Sequence, residues 1–339
     1  MEGDLDLVRS WLGESAAIPV IDEASVSLVR EQVRAQAARV GLDLDATAAI
    51  VDVASELAHN HLAHARGGYM VTREARRGEQ RGVEVVAADG GEGIRDVAGA
   101  LEGRRSRPES LGVGLAAVFE LADEVDMDVR LLEGTCVWAR KFGGAAPRRR
   151  RVGVYGRPCP GETCSGDDAA FVREGDVLTF GVADGLGHGE SAREASTRAV
   201  RLLAWDPRPT PSELLAACDR SLRGTRGAVM TAAMLSASGE FSVAGIGNVA
   251  ARVYGVGPAW RFGGSSFVLG STGSLPRITT EDYRLDGRDV LLLFTDGIRS
   301  SLDLGGDFDL LREHPVIIAQ RVVERFARED DDVLVMAVS

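Results

Sequence analysis

One stretch decides the fold of the second half of this 339-residue chain, Val182-Ala183-Asp184-Gly185-Leu186-Gly187-His188-Gly189. It follows a hydrophobic strand predicted for Val177–Val182. A second acidic turn, Phe294-Thr295-Asp296-Gly297-Ile298, also follows a hydrophobic strand, and the acidic run Glu329–Asp332 precedes the last one. The step Gly166-Asp167-Asp168 opens the same half of the chain. Carboxylates delivered by separate strand ends are how a β-scaffold builds a site for hard divalent cations.

The overall composition excludes several classes of function. The chain has 51 acidic and 39 basic residues, a net charge of −12, so a nucleic-acid role is disfavoured. No stretch approaches the length of a membrane span, and Met1 is followed by acidic residues rather than a signal peptide. We therefore expect a cytoplasmic protein without a membrane partner. The four cysteines do not form a zinc pattern and are expected to be reduced thiols.

A Gly-Ala-Pro-Arg segment at residues 143–151 predicts a linker between two domains, 1–142 and 152–339. The short basic run Arg148 to Arg151 is interpreted as a solvated part of that linker. Both halves mix helices and strands, so the fold class is α+β.

The first half is predicted to place helices on one face of a mixed sheet. Gly41 ends the first helix, and Asp45 or Thr47 would cap the second. The predicted strands are 17–21, 83–88, 129–132 and 135–140, and the predicted helices are 24–40, the segment through 50–57, and 112–121.

The second half contains many predicted strands and a few long helices, which predicts a layered β-sandwich flanked by helices. The predicted strands are 152–155, 169–172, 177–182, 229–235, 241–244, 251–254, 290–294 and 333–338, and the predicted helices are 190–203, 211–222 and 314–328.

The first half carries residues suited to a nucleotide. Glu56 and Asn60 share one face of the second helix, and the carbonyl of an Asn side chain can ligate Mg²⁺. Asp89 ends a strand and would accept a hydrogen bond from an adenine amino group. Gly91 and Gly93 follow, where the backbone approaches a ligand closely. Taken singly, Asn60 also fits a solvated helix face, and the glycines also fit an ordinary turn.

A second glycine pair, Gly112 and Gly114, opens the next helix. Free amide groups and the positive end of the helix dipole would there face phosphates. The Arg-rich segment 95–107 before it is interpreted as a flexible lid. His59, His61 and His64 surround Asn60 and are interpreted as ordinary helix-surface residues, because their spacing does not converge on a metal.

These elements resemble the GHKL ATP-binding fold, most closely its branch of serine-protein kinases and anti-sigma factors of the RsbT type. The matching segments are Ser55–Asn60, Asp89–Ile94 and Gly112–Leu115. The resemblance implies that Asn60 holds Mg²⁺, Glu56 is the base that activates the protein serine, and Asp89 binds adenine of ATP.

The second half resembles the metal-dependent PPM protein phosphatases in the SpoIIE branch, close to short RsbX-type enzymes and with a layered α-β-β-α sandwich. The matching motifs are Ser165–Asp167, Asp184–Gly189, Thr225–Ala228, Gly245–Asn248, Thr295–Gly297 and Asp331–Asp332. The resemblance implies that two Mg²⁺ or Mn²⁺ ions bind Asp167, Asp184, the Gly185 carbonyl, Asp296 and Asp331. Asp184 would bridge both ions, and a bound water would attack phosphorus.

Plainer interpretations stand beside these roles. The Asp184-Gly185 and Asp296-Gly297 pairs also fit tight turns without a ligand. Asp168 and Asp332 are interpreted as neighbours that only adjust the electrostatic field of the site, and His188 is interpreted as a structural residue. A phosphate-binding arginine is not evident, although Arg157 or Arg173 would be candidates.

Three functions remain to be compared. The first is a bifunctional regulator that phosphorylates a STAS-domain protein and removes the phosphate again in a stressosome or sigma-factor pathway. The second is an ATP-binding module that sequesters a STAS protein, a sigma factor or a downstream regulator, fused to an active phosphatase. The third is an inactive scaffold, which the complete motif sets disfavour.

Overall fold

The computed structural model describes residues 3–13, 15–65, 67–102, 114–144, 149–205, 210–255, 257 and 260–339. The chain divides into two compact units, Met1–Arg151 and Val152–Ser339. Within the described ranges, no helix is both long enough and apolar enough to cross a bilayer.

The first unit is an antiparallel sheet with helices, which confirms the α+β class. Its strands follow the order β1-β2-β3-β5-β4, and each described pairing among them is antiparallel, so the expectation of a mixed sheet is wrong. The elements are α1 (Gly3–Leu12), β1 (Ile18–Val20), α2 (Glu23–Val40), α3 (Leu44–His64), β2 (Gly68–Arg77), β3 (Gln80–Asp89), α4 (Val97–Leu101), α5 (Gly114–Leu121), β4 (Glu124–Arg130) and β5 (Gly134–Phe142).

Local signals place the two long helices of this unit. Asp22 caps α2 through a capping box, and Gly41 ends it with a left-handed φ of 78°. The cap of α3 is Asp43, whose side chain accepts from the third amide of the helix, and not Asp45 or Thr47 as predicted. Asp45 lies instead in the first turn, where its charge complements the helix dipole.

The predicted linker is partly packed into the first unit. The Arg149 guanidinium donates to Glu124 Oε2 at 3.0 Å and lies over the Phe142 ring. Only 9% of the Arg149 side chain is exposed, so its interpretation as solvated linker is wrong. The physical reason is that Glu124 is itself buried and requires a counter-charge. Residues 145–148 of the linker lie outside the described residues.

The second unit consists of two antiparallel sheets between helices, which confirms the α-β-β-α sandwich. Its elements are β6 (Val152–Arg157), β7 (Asp167–Glu174), β8 (Val177–Gly185), α6 (Glu190–Trp205), α7 (Pro211–Ser221), β9 (Ala228–Ser236), β10 (Glu240–Ile246), β11 (Ala250–Tyr254), β12 (Trp260–Phe262), β13 (Glu281–Arg284), β14 (Val290–Phe294), α8 (Pro315–Phe326) and β15 (Val333–Val338).

The layers of the second unit follow from its strand order. One sheet runs β6-β15-β14-β11-β12 and the other β13-β10-β9-β8-β7. Apolar side chains such as Phe180, Leu293 and Met336 fill the space between them. Helices α6 and α7 cover the second sheet, and α8 packs on β6 and β15. The prediction missed β12 and β13, because one is short and the other is exposed and polar.

Candidate functional site

Helix α3 presents Glu56 and Asn60 one turn apart, both half-buried, to the start of α5. A Cβ built on Gly114 would lie 2.9 Å from Glu56 Oε2 and 3.0 Å from Asn60 Oδ1. The structure therefore brings three predicted site residues together at the N-terminus of a helix, where free amides favour an anion. Gly112 lies outside the described residues.

Asp89 ends β3 and lies in the turn that follows it. Its Oδ1 accepts from Gly91 N at 2.8 Å, and burial raises the pKa of this carboxyl to about 6, against the opposing effect of the Gly91 and Thr135 amides. Gly93 has a φ of +70° and lies against the Arg130 carbonyl, where a side chain would clash. Asp89 Oδ2 lies 3.9 Å from Nε2 of His61 on α3, so the turn borders the same helix.

His61 is buried, and its interpretation as a helix-surface residue is wrong. Its ring packs against Gly68 at the start of β2, where a side chain would collide with it. Burial lowers the pKa of this imidazole to about 4, so it is neutral at pH 7. Within the described part of the chain its Nδ1 has no hydrogen-bond partner. His59 and His64 are exposed, as predicted.

In the second unit, three of the predicted carboxylates line one open pocket of about 650 Å³: Asp184, Asp296 and Asp331. They come from the ends of β8 and β14 and from the approach to β15. Asp167 is paired with Asp184 across β7 and β8 and is buried, with 2% of its surface exposed. Residues distant in sequence thus meet because their strands end at the same place.

Two neutral side chains orient these carboxylates. Thr295 Oγ1 donates to Asp167 Oδ2 at 2.7 Å and accepts from the Leu334 amide at 3.0 Å. Asn248 Nδ2 donates to Asp296 Oδ2 at 2.8 Å. Neither Thr295 nor Asn248 was expected to have a role, although both lie within the motifs of the phosphatase resemblance.

Gly185 is required where it stands. A Cβ at this position would lie 2.0 Å from the Ala192 carbonyl oxygen at the start of α6. The end of β8 is therefore in direct backbone contact with α6. This close approach explains why a glycine follows the acidic residue that ends the strand.

The acidic residues that adjoin the pocket differ in what they contact. Asp332 is 4% exposed and accepts from Cys159 N at 2.6 Å and from Gly166 N at 2.9 Å. Asp331 is only half-buried and lines the pocket. Asp168 accepts from Thr197 Oγ1 at 2.9 Å and so connects β7 to α6. Asp332 and Asp168 are therefore engaged by protein donors.

The pocket carries excess negative charge. Burial, together with the nearby Asp296 and Asp331 carboxylates, raises the pKa of Asp184 to about 7. The pKa of Asp167 is raised well above its usual range for the same two reasons, burial and the neighbouring Asp184. Such mutually repelling carboxylates fit a site whose positive charge comes from a cation.

The donor set fits a cation that keeps part of its water shell. In the described ranges, no three carboxylate, imidazole or thiolate groups gather tightly enough to hold an ion alone. Mg²⁺ binds in this manner, with one or two carboxylates and several waters.

Neither arginine considered from the sequence serves the pocket. Arg157 donates to the carbonyl oxygens of Pro158 and Asp331, at 3.1 and 3.2 Å, and of Arg328, so it holds the acidic loop in place. Arg173 pairs with Leu178 towards the other end of the β7–β8 ladder from the Asp167–Asp184 pair.

The two units match different families. Residues 20–141 match the histidine kinase-like ATPase domain, and residues 174–339 match stage II sporulation protein E (SpoIIE). The serine/threonine-protein kinase RsbT of Bacillus subtilis (strain 168) is 30% identical over 132 residues, which cover 39% of this chain and 98% of RsbT.

Many solved structures resemble part of the chain. One comes from a study of the bacterial stressosome as a modular system adapted to control secondary messenger signalling. It is 26% identical with a TM-score of 0.53, and the match covers 57% of this chain and all of that chain. RsbX in complex with magnesium is 19% identical with a TM-score of 0.50, over 57% of this chain and 96% of its own, and shares the fold. Histidine kinase-like ATPase domains use ATP, and PPM-type phosphatase domains use divalent metal ions. The chain therefore belongs to the histidine kinase-like ATPase family through an RsbT-like serine/threonine kinase domain, which it joins to a SpoIIE-type serine/threonine phosphatase domain of the PPM family.

Proposed function

We propose that this protein is a bifunctional regulator of a partner-switching pathway. Its first domain transfers phosphate from ATP to a serine or threonine of a STAS-domain protein, and its second domain hydrolyses the phosphoserine. The observation that carries the phosphatase assignment is the convergence of Asp184, Asp296 and Asp331 on one pocket. The kinase assignment rests on Glu56, Asn60 and Gly114 meeting at the start of α5.

In the phosphatase domain, two bound Mg²⁺ or Mn²⁺ ions would supply an activated water and neutralise the phosphoryl oxygens. In this proposal Asp184 would serve both ions, and Asp167, Asp296, Asp331 and the Gly185 carbonyl would complete the ligand set. Thr295 and Asn248 hold Asp167 and Asp296 in fixed orientations, which a reactive site requires.

In the kinase domain, Glu56 accepts the proton of the substrate hydroxyl and Asn60 ligates Mg²⁺. Asp89 accepts a hydrogen bond from adenine, while Gly91 and Gly93 allow the backbone to approach the nucleotide. The amides at Gly112 and Gly114 bind phosphate oxygens of ATP. Support comes from the position of the start of α5 beside Glu56 and Asn60.

A second candidate retains the phosphatase and removes the kinase. In it, the ATP-binding domain sequesters a STAS protein, a sigma factor or a downstream regulator without phosphorylating it. Transfer of phosphate to the partner separates the two proposals.

The test is incubation of the full chain with candidate STAS proteins, ATP and either Mg²⁺ or Mn²⁺, read by intact mass. Glu56→Ala should abolish the phosphate adduct on the partner, a mass increase of roughly 80 Da per transferred phosphoryl group. It should leave dephosphorylation intact because the two chemistries use separate groups. Asp184→Ala should reduce dephosphorylation on the order of a thousandfold and leave phosphorylation intact.

The matched control is Asp330→Asn, an exposed acidic neighbour of the site. It should behave like the wild type in both assays. Dephosphorylation by Asp184→Ala within about tenfold of the wild-type rate would remove this residue from the proposed mechanism. A nucleotide-bound partner complex without any phosphate adduct would favour the sequestering module.

A further inference from the structure

The phosphatase pocket offers little positive charge of its own to an anionic substrate. The described residues that line it include three aspartates but no lysine or arginine. Its histidine, His188, has its Nδ1 3.3 Å from Asp332 Oδ2, within reach of a buried carboxylate. Apart from bound metal ions, a phosphate monoester that enters this pocket would therefore meet positive side-chain charge only at the rim.

Arg226 lies at that rim. It is exposed and stands between α7 and β9, in the turn that leads to Gly227. Its Nη1 lies 3.0 Å from the Cβ position of Gly187, a glycine that lines the pocket and has a φ of +88°. Any side chain at Gly187 would therefore occupy the space next to this guanidinium.

The backbone under Arg226 is held in place from both sides. Thr225 Oγ1 donates to the Leu222 carbonyl at 2.7 Å and accepts from Gly227 N at 3.0 Å. The Leu186 amide donates to the Gly227 carbonyl at 3.1 Å, which connects this turn directly to the Asp184 turn. Arg226 is thus presented by a fixed loop and not by a free surface segment.

The charge of Arg226 is available for a ligand. Among the described residues, no hydrogen bond or ion pair engages its guanidinium. The nearby Arg223 is different, because its Nη2 lies 3.9 Å from Asp219 Oδ2.

We propose that Arg226 binds the phosphate of the phosphoserine substrate at the mouth of the phosphatase pocket. This inference rests on the proposed phosphatase function. A guanidinium presents paired donors that match phosphate oxygens, which a lysine ammonium cannot reproduce. Gly187 supports the role because its missing side chain leaves the guanidinium room beside the pocket.

The test uses the full chain loaded with Mn²⁺ and measures the affinity for inorganic phosphate by calorimetry. Arg226→Ala should weaken phosphate binding on the order of tenfold to a hundredfold, the effect of removing a charge-assisted hydrogen-bond donor pair. Arg226→Lys should lie between this variant and the wild type. Arg223→Ala removes the same charge three residues away and should bind phosphate like the wild type.

A second readout is the affinity for Mn²⁺, which should stay within about twofold of wild type in Arg226→Ala, because the residue holds the substrate and not the ions. Unchanged phosphate affinity in Arg226→Ala would overturn the inference, as would an equal loss in Arg223→Ala or a wild type without measurable phosphate affinity. If phosphate binding depends on Arg226 but the wild type does not hydrolyse phosphoserine, the proposed function fails while the binding site stands.

Discussion

Substitution of the last two acids of the chain, one at a time, should separate metal binding from folding. Asp331 lines the pocket and is half-buried, whereas Asp332 is buried and accepts two backbone amides. We expect Asp331→Asn to lower Mn²⁺ affinity with little change in stability. We expect Asp332→Asn to lower the stability of the second unit with a smaller loss of Mn²⁺ affinity.

The magnitude follows from the contacts of Asp332. An asparagine can still accept from Cys159 N with its oxygen, but its amide nitrogen then faces the Gly166 amide, and a donor meets a donor. One charge-assisted hydrogen bond is lost at a buried position, which costs about 3 kcal/mol. In a domain of this size that corresponds to a fall in Tm of about 6–12 °C.

Scanning calorimetry of the metal-free full chain measures the stability, and titration calorimetry with Mn²⁺ measures the affinity. We expect the two variants to rank in opposite orders in these two assays. A larger loss of Mn²⁺ affinity in Asp332→Asn than in Asp331→Asn, with the Tm of Asp332→Asn at the wild-type value, would refute this expectation.

Three further outcomes are expected in the first unit. Burial raises the pKa of Asp89 from 3.8 to about 6, so the folded state holds a proton that the unfolded state releases, and wild-type stability falls as pH rises between these values. Asp89→Asn should therefore gain up to about 3 kcal/mol of unfolding free energy at pH 7, and lose the thermal shift that ATP-Mg²⁺ produces. Gly114→Ala should displace the neighbouring carboxylate and amide tips, so that phosphotransfer falls while Tm stays within about 2 °C of the wild type, because the displaced atoms end flexible side chains. A fragment 1–142 should be less stable in urea than a fragment 1–151, by about 2–4 kcal/mol, because it lacks the buried Arg149; equal midpoints would show that this ion pair contributes nothing.

Much of the fold was predictable because its signals are local. The C-terminal end of α2 follows from Gly41, and most strands of the second unit follow from short hydrophobic runs bounded by turn residues. Helix α1 was missed although Leu7, Val8, Trp11 and Leu12 repeat with helical spacing and are buried. The exposed polar strand β13 carries no such signal and could not have been found in this way.

Individual residues of the candidate sites were predictable to a lesser degree. The motifs named the aspartates, since each one lies at the end of a recognisable strand. The resemblance also assigned the metal to Asp331 and left Asp332 as a neighbour of the site. The burial of His61 was not predictable, because it depends on the room that Gly68 leaves on another element.

The sequence by itself determined the two domain types, because their chemistry resides in short segments in which an acid, an amide or a glycine stands next to a strand or helix end. Only the tertiary structure decided which other side chains orient the site residues of these segments. Thr295 orients Asp167 across 128 residues of sequence, and Arg157 holds the loop of Asp331 across 174. Only the approach of two turns places Arg226 beside Gly187. Such contacts depend on how separate strands pack. The pattern of residues along the chain does not specify the distances between segments that are remote in sequence.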